Sequence, residues 1–398
     1  MINRQQIEGK FTIQNRVILW PADCCLIVAL LCNFFILLGE PLKNDAIISL
    51  GSQGLIFSFF GFAFFQFMVL FKRQKVKNAH YFIALVGSIG ISACLSGVET
   101  ILQHLIPLIC FFMLPISLML YKCIYNVSFI KKTIYRFNWI YTILWTALFL
   151  SPLSHVFDGE YGKETIDALT LGYANPNQTG IYLMISFIIA FSGYQRDIKK
   201  RYKVMYLIQS LWTFVLICQT QGRTCIIIAI AILLVWLFKG ILKIDKKVTA
   251  ICFSIPLLMA VLLIFGGETV QKWIILGEEF DTGRVNIFRS VLAQLTPGTF
   301  LFGNFANWIG GNLHNSYVTI FAILGVVGLI VYCFFLWKII KEYYVQIDKK
   351  APSAMLAYLG VLAIIVHGST ESTLLTAGMV YASLASLIFV LTLNEGKK

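Results

Sequence analysis

The sequence predicts an all-α membrane protein with about twelve transmembrane helices, and three observations lead to that fold class. Of the 398 residues, 58% are hydrophobic and only 13% are charged, and the mean hydropathy is +0.79. Apolar runs of about 18 to 22 residues recur along the chain, and each is long enough to cross a bilayer as a helix. The basic residues are concentrated in alternate connections between these runs.

The predicted spans follow one another as a single polytopic membrane domain over residues 1–398. The first is interpreted as an uncleaved span, because no small-residue cleavage site follows it. The predicted spans are 17–38, 46–70, 80–97, 100–121, 137–153, 178–195, 204–219, 225–238, 248–266, 316–337, 353–366 and 375–393.

The distribution of charge predicts that both termini are cytoplasmic. The net charge is +13, and all but six of the 32 Lys and Arg fall in segments that share one side if the N-terminus lies inside. Basic residues of a membrane protein usually report topology, so this charge does not indicate nucleic acid as a partner. The six that fall outside are Lys43, Lys163, Arg223, Lys272, Arg284 and Arg289.

Neither the cysteines nor the acidic residues predict a cofactor or a metal. The ten cysteines lie in or at the ends of apolar runs, without metal-type spacing or a disulfide framework. Glu278, Glu279 and Asp281 form an acidic group that offers a divalent-ion site as an alternative, but it lacks a tight spacing motif. We therefore expect metal-independent chemistry.

Two long outer loops, 154–177 and 267–315, are the expected place for function, since long loops tend to be functional. The first is acidic and ends at Asn175-Pro176-Asn177. In the second, apolar residues at helical spacing from Ile287 to Leu295 predict a short amphipathic helix on the membrane surface. Four aromatic residues after it are expected at the interface; they are Phe300, Phe302, Phe305 and Trp308.

Arg223 stands in the very tight outer turn Gln221-Gly222-Arg223-Thr224 between two spans. A charge at the edge of the hydrocarbon is costly without a partner. One interpretation is an anion site, because guanidinium donates paired hydrogen bonds to phosphate oxygens. The alternative is an arginine that reaches lipid headgroups or pairs with an outer glutamate. Glu99 and Glu371, in short outer turns, are candidates to hold an arginine or to act as an alternative base.

The long outer loop carries two more arginines and is followed by a histidine. Arg284 is either an anion ligand or is neutralised by the acidic residues before it, and Arg289 follows five residues later. His314 begins the tenth span; histidine exchanges protons near neutrality and suits general-base work. The alternative is a histidine that caps the helix, as expected of His80, His104, His155 and His367. Gly325 and Gly328 are expected to serve close helix packing.

These pieces resemble the bacterial O-antigen ligase and O-antigen polymerase superfamily over residues 170–340. Asn175-Pro176-Asn177 with Gly180 opens a span, and Gln221-Gly222-Arg223-Thr224 stands at a tight outer turn. Thr282-Gly283-Arg284 and Leu301-Phe302-Gly303 follow in the long loop. The most specific part is His314-Asn315, nine residues, Gly325, two residues, Gly328.

The resemblance implies a C-type membrane glycosyltransferase that needs no metal or cofactor. It implies that Arg223 and Arg284 bind the diphosphate leaving group and that His314 activates the acceptor hydroxyl. Arg289 is expected to give auxiliary anion binding. Asn315 is expected to orient His314 or a sugar hydroxyl, with Asn177 and Gln221 as further substrate contacts.

The implied donor is a polyprenyl-diphosphate-linked oligosaccharide, and the implied acceptor is a glycan or a lipid-linked glycan. The expected location is the bacterial plasma membrane, with the active site facing the periplasm or exterior, beside other polysaccharide-assembly proteins. We favour a polymerase of repeat units; the alternative is the ligase that joins polymer to lipid A core. A transporter or flippase of lipid-linked sugars is a second alternative, since twelve spans suit one.

Overall fold

The computed structural model describes residues 13–71, 79–97, 116–121, 124–155, 168–196, 198–238, 246–265, 274–275, 278–279, 284–308, 313–347, 351–371 and 379–394. Within these ranges the chain is almost entirely helical. A short antiparallel pair, β1 (Ile274–Ile275) with β2 (Glu278–Glu279), interrupts the helices.

Helices coincide with eleven of the twelve predicted spans. In chain order they are α1 Ile13–Gly39, α2 Asp45–Phe71, α3 Ala79–Leu95, α4 Val127–Phe149, α5 Pro176–Tyr194, α6 Lys200–Gln219, α7 Arg223–Leu237, α8 Lys246–Phe265, α9 Arg284–Ala293, α10 Pro297–Phe302, α11 Phe305–Trp308, α12 Ser316–Gln346, α13 Pro352–His367 and α14 Met379–Thr392. The predicted span 100–121 lies mostly outside the described residues. A 3-10 turn, Pro152–His155, follows α4.

Three of the described helices contain stretches that are long and apolar enough to cross a membrane: Trp20–Gly39, Asp45–Met68 and Ser316–Val345. Four shorter apolar helices lie at His80–Leu95, Arg223–Leu237, Pro352–His367 and Ser383–Thr392. The chain is therefore a helical protein with candidate membrane spans, which agrees with the predicted class of fold.

Neutral polar side chains join α4, α5 and α6 near their centres. The Asn138 amide donates to the Ser186 carbonyl, and the Gln209 amide donates to the Asn138 carbonyl and to Thr142 Oγ1, at 3.1, 3.1 and 2.8 Å. All four residues are buried. Hydrogen bonds of this kind hold membrane helices together, and we call Asn138, Thr142, Ser186 and Gln209 the neutral layer.

Helix α12 is broken at Gly325, where φ is +68° and ψ is −171°. A Cβ on Gly325 would fall on the backbone of Leu301 and Phe302, and one on Gly303 would fall on the backbone of Ile323 and Leu324. The two glycines therefore let the end of α10 cross α12 at backbone contact. The Ala322 carbonyl accepts from the Asn304 N–H at 2.8 Å, and the Ile323 carbonyl accepts from Ser92 Oγ at 2.6 Å.

Part of the expected roles in this region changes. Gly325 does permit close packing, as predicted, but as a helix break rather than as a smooth helical surface. Gly328 faces its own helix, because a Cβ there would meet the Leu324 side chain. Of the four aromatic residues expected at the interface, Phe305 is fully buried and Phe300 is 46% exposed.

The predicted amphipathic helix is present as α9. Its Phe288 and Val291 are buried against Leu313, Val318 and Ala322. Helix α9 therefore packs beside the start of α12, and its apolar residues are used inside the protein rather than only at a membrane surface.

Candidate functional site

The start of α12 is built around a strained histidine and a buried cap. His314 has a left-handed backbone with φ of +53°, a conformation that few non-glycine residues adopt. Asn315 is fully buried; its Oδ1 accepts from the N–H groups of Tyr317 and Val318 at 2.9 and 3.1 Å. Its Nδ2 donates to the Ser369 carbonyl at 3.3 Å. Asn315 thus caps α12, and this internal bonding favours a structural role over the predicted contact with a sugar.

The turn after α13 is fastened to this helix start. The Ser316 N–H donates to the Gly368 carbonyl at 2.8 Å, and Ser316 Oγ donates to the Glu371 carbonyl at 3.2 Å. The Glu371 N–H in turn donates to the His367 carbonyl at 3.1 Å. These bonds place the Glu371 side chain beside His314.

His314 and Glu371 form an ion-pair contact: His314 Nδ1 lies 3.2 Å from Glu371 Oε2. The side chains are 33% and 10% exposed, so the carboxylate is largely enclosed while the imidazole ring is reachable. A carboxylate accepts hydrogen bonds, so a neutral His314 in this contact carries its proton on Nδ1.

The start of α5 contributes the second carboxylate contact. Asn177 Nδ2 lies 3.5 Å from Glu371 Oε1, at the long end of hydrogen bonding. Asn175 caps the helix by accepting from the Gln178 N–H at 2.8 Å, and Pro176 occupies the first turn. Asn177 is therefore presented at the end of a well-formed helix.

The start of α7 lies beside that of α5. A Cβ on Gly180 would meet Cys225 Sγ and Thr220 Oγ1, each at 3.2 Å, and a Cβ on Gly222 would lie 3.8 Å from Asn177 Oδ1. Arg223, half-buried, is the first residue of α7. The N-termini of α5 and α7 thus meet, and N-terminal helix dipoles favour a bound anion.

The end of α13 closes the group from below. His367 is buried, and its Nε2 lies 3.5 Å from Cys225 Sγ on α7. This contact links the turn that carries Glu371 to the helix that carries Arg223. We call Asn177, Arg223, His314 and Glu371 the polar cluster.

The remaining predicted site residues lie around this group. Gln221 is exposed in a left-handed turn with φ of +53°, directly before Gly222. Arg289 is exposed on α9. Arg284 is the first residue of α9, and its side chain lies outside the described part of the structure. Helix α9 itself packs beside Leu313, next to His314.

A second carboxyl group lies on the other side of α5. Glu40, just after α1, accepts a hydrogen bond at Oε2 from Gln178 Nε2 at 3.0 Å, and Gln178 also donates to Tyr182 Oη at 3.2 Å. Burial raises the pKa of Glu40 to about 7, partly offset by the Gln178 bond. Asn177 and Gln178 thus contact Glu371 and Glu40 respectively.

Sequence reasoning missed Glu40, Cys225 and the buried position of His367, and it named Glu371 only as a possible partner or base. One signal was available: His367-Gly368-Ser369-Thr370-Glu371 places two ionisable groups at the end of an apolar helix. Within the described ranges, no group of three or more His, Cys, Asp or Glu side chains is arranged to hold a metal ion.

Comparison of the chain with protein-family models, with curated proteins and with solved structures finds no match. The contacts within the polar cluster are therefore the observations from which function is argued.

Proposed function

We propose that the protein is a multi-pass membrane glycosyltransferase that takes its glycan from a polyprenyl-diphosphate-linked donor. The observation that carries this proposal is the contact between His314 and Glu371 beside the paired N-termini of α5 and α7. A histidine base and an anion-binding surface are the two groups that displacement of a lipid diphosphate by a hydroxyl requires.

In this proposal the chain crosses the bacterial plasma membrane twelve times, with both termini in the cytoplasm. The contacts of the polar cluster support such a topology, because they join helix ends that the charge pattern assigns to one face. Contacts among predicted inner ends agree: the Asn126 N–H donates to Asp23 Oδ2, and Lys131 Nζ donates to the Leu393 carbonyl, at 2.9 and 2.6 Å. The polar cluster then faces the periplasm or exterior.

The proposed reaction is a single displacement. His314 accepts the proton of an acceptor hydroxyl, and the hydroxyl oxygen bonds to the anomeric carbon of the donor sugar. The bond from that carbon to the diphosphate oxygen breaks, and the electron pair leaves with the diphosphate. Arg223, Arg284 and the N-terminal dipoles stabilise the departing charge, with Arg289 as an auxiliary cation. Inversion at the anomeric carbon follows from a single displacement.

The test of this proposal is glycan transfer by purified protein in lipid nanodiscs. Lipid-linked oligosaccharide extracted from a deletion strain serves as donor. His314→Ala should lower the rate roughly 10²- to 10⁴-fold, the usual contribution of a positioned base. His80→Ala, at an exposed histidine near the start of α3, is the matched control and should transfer normally.

Full activity of His314→Ala would remove the base from the proposal. EDTA should leave the wild-type rate unchanged; a loss restored by Mg²⁺ would refute the metal-independent reaction.

Within this class we propose a polymerase that joins repeat units of a surface polysaccharide, with the O-antigen ligase as the alternative. The two differ in what a deletion strain accumulates. Loss of long chains while single repeat units still reach the surface anchor identifies the polymerase. Long chains that remain on the polyprenyl carrier identify the ligase.

One observation favours a transporter as second candidate: α12 is broken at Gly325, and broken helices are common at transporter binding sites. Here the carbonyls near the break accept hydrogen bonds from Asn304 and Ser92, so the break is packed with protein. A transporter predicts loss of lipid-linked sugar from the outer leaflet in a deletion strain, whereas the enzyme predicts its accumulation there.

A further inference from the structure

Glu371 is the ionisable side chain seen to contact His314, and it is held on both oxygens. Oε2 lies 3.2 Å from His314 Nδ1, and Oε1 lies 3.5 Å from Asn177 Nδ2. The carboxylate therefore connects the start of α12 to the start of α5. Its side chain is only 10% exposed, so the contact is shielded from the competing solvent that weakens surface ion pairs.

The backbone around Glu371 is equally constrained. Its carbonyl accepts from Ser316 Oγ and its N–H donates to the His367 carbonyl, at 3.2 and 3.1 Å. His314 on the other side keeps a positive φ, a costly conformation that persists where the surroundings impose it. Both partners of the contact are thus oriented by their own main chain.

We propose that Glu371 is the positioning residue of His314, with Asn177 as its anchor. This inference rests on the proposed function of His314 as a base. Glu371 accepts the Nδ1 proton, which makes Nε2 the basic ring nitrogen. When Nε2 takes the acceptor hydroxyl proton, the imidazolium that forms is stabilised by the carboxylate 3.2 Å away. Asn177 then acts through Glu371 instead of contacting substrate directly, as the sequence had suggested.

The tautomer of His314 gives a test that needs no activity. Protein labelled with ¹⁵N-histidine should show one histidine locked with its proton on Nδ1, and that signal should vanish in His314→Ala. In Glu371→Gln, whose amide can donate to Nδ1, the same histidine should shift toward the Nε2-protonated form. An unchanged tautomer in Glu371→Gln would overturn the proposal.

Transfer kinetics supply the second test. Glu371→Gln should lower kcat roughly 10²- to 10⁴-fold, as loss of the orienting carboxylate does in catalytic triads, with little change in donor KM. Glu371→Asp, which retains the charge, should recover part of the rate. Glu342→Gln, the same change near the far end of α12, is the matched control and should leave kcat unchanged.

The decisive combination is the double variant. In the His314→Ala background, Glu371→Gln should cause no further loss, because groups that act as a unit are not additive. Multiplied losses would show that Glu371 acts independently of His314 and would overturn the inference. Absence of transfer in the wild type would instead count against the proposed function, while the tautomer measurement would still decide the role of Glu371.

Discussion

The neutral layer and the polar cluster are both built from buried polar side chains on neighbouring helices, but only one contains ionisable groups. In the neutral layer, amides and hydroxyls of Asn138, Thr142, Ser186 and Gln209 bond to one another and to helix carbonyls. In the polar cluster, a carboxylate contacts a histidine at the point where helices begin and end.

The difference follows from the cost of charge in hydrocarbon. Neutral amides are tolerated at the centre of a helix when they are hydrogen-bonded, whereas an ionised group there is expensive. Helix ends supply free backbone donors and partial charge, and they lie nearer to water. We infer that the neutral layer holds helices together and that the polar cluster carries the chemistry, so substitutions in the two regions should have opposite signatures.

The largest effect is expected at Arg223. Arg223→Ala should lower kcat for transfer by about 10²- to 10³-fold, because removal of one donor to a developing charge typically costs on the order of 3 kcal/mol of barrier. Arg223→Lys, which keeps the charge but loses the planar fork, should retain an intermediate rate. A normal rate in Arg223→Ala, with intact expression, would remove the anion site from the polar cluster.

The crossing at Gly325 should be the most sensitive site for stability. Gly325→Ala forces a side chain into a positive φ and against the backbone of Leu301 and Phe302. The backbone strain alone costs roughly 1–3 kcal/mol, so the melting temperature in detergent should fall markedly. Gly298→Ala, in the same segment and with only Thr296 Oγ1 near, at 3.9 Å, is the control. Equal melting of the two variants would contradict the close crossing.

A smaller, purely structural effect is expected in the neutral layer. Gln209→Met removes the two hydrogen bonds to Asn138 and Thr142 and keeps an apolar side chain of similar size. Interhelical bonds of this kind are worth about 0.6–1.7 kcal/mol each, so thermal stability should fall modestly while transfer per folded protein stays normal. Loss of transfer without loss of stability would transfer the functional role to the membrane centre.

The smallest effect concerns the pH dependence of stability at Glu40. Its pKa is about 7 in the folded protein against an ordinary value of 4.5. The folded state therefore favours the neutral carboxyl, and this stabilisation is complete below about pH 4.5 and is lost as pH rises through about 7. Relative to Glu40→Gln, the wild type should lose stability between pH 5 and 8.

Thermal melts across this pH range check the Glu40 prediction. Asp45→Asn, an exposed carboxylate at the start of α2, serves as control and should show no such slope relative to the wild type. A Glu40→Gln difference that is flat between pH 5 and 8 would contradict the raised pKa.

Much of the helical framework could be predicted from the sequence, because runs of apolar residues and basic connections are local signals. Helix α9 was predicted for the same reason, from apolar residues at helical spacing. The break in α12 was not predicted, since Gly325 looks like any glycine in an apolar helix until Gly303 arrives from another segment.

The candidate site was predictable only in part. His314, Arg223 and Asn177 stand out because they are polar residues beside apolar runs. Glu371 and Glu40 acquire their importance from partners 57 and 138 residues away in the chain. Asn315 was read as a substrate contact, although its position directly before an apolar helix also suited the cap that it forms.

The measurement that tests the central claim most directly is photocrosslinking with a polyprenyl-diphosphate donor analogue that carries a diazirine on the sugar next to the diphosphate. Labelled peptides are then identified by mass spectrometry. The account predicts labels in 175–181, 221–225, 313–316 and 367–371, lost in competition with unmodified donor. Labels centred on Asn138, Ser186 and Gln209 would contradict it and would favour a transport path through the membrane.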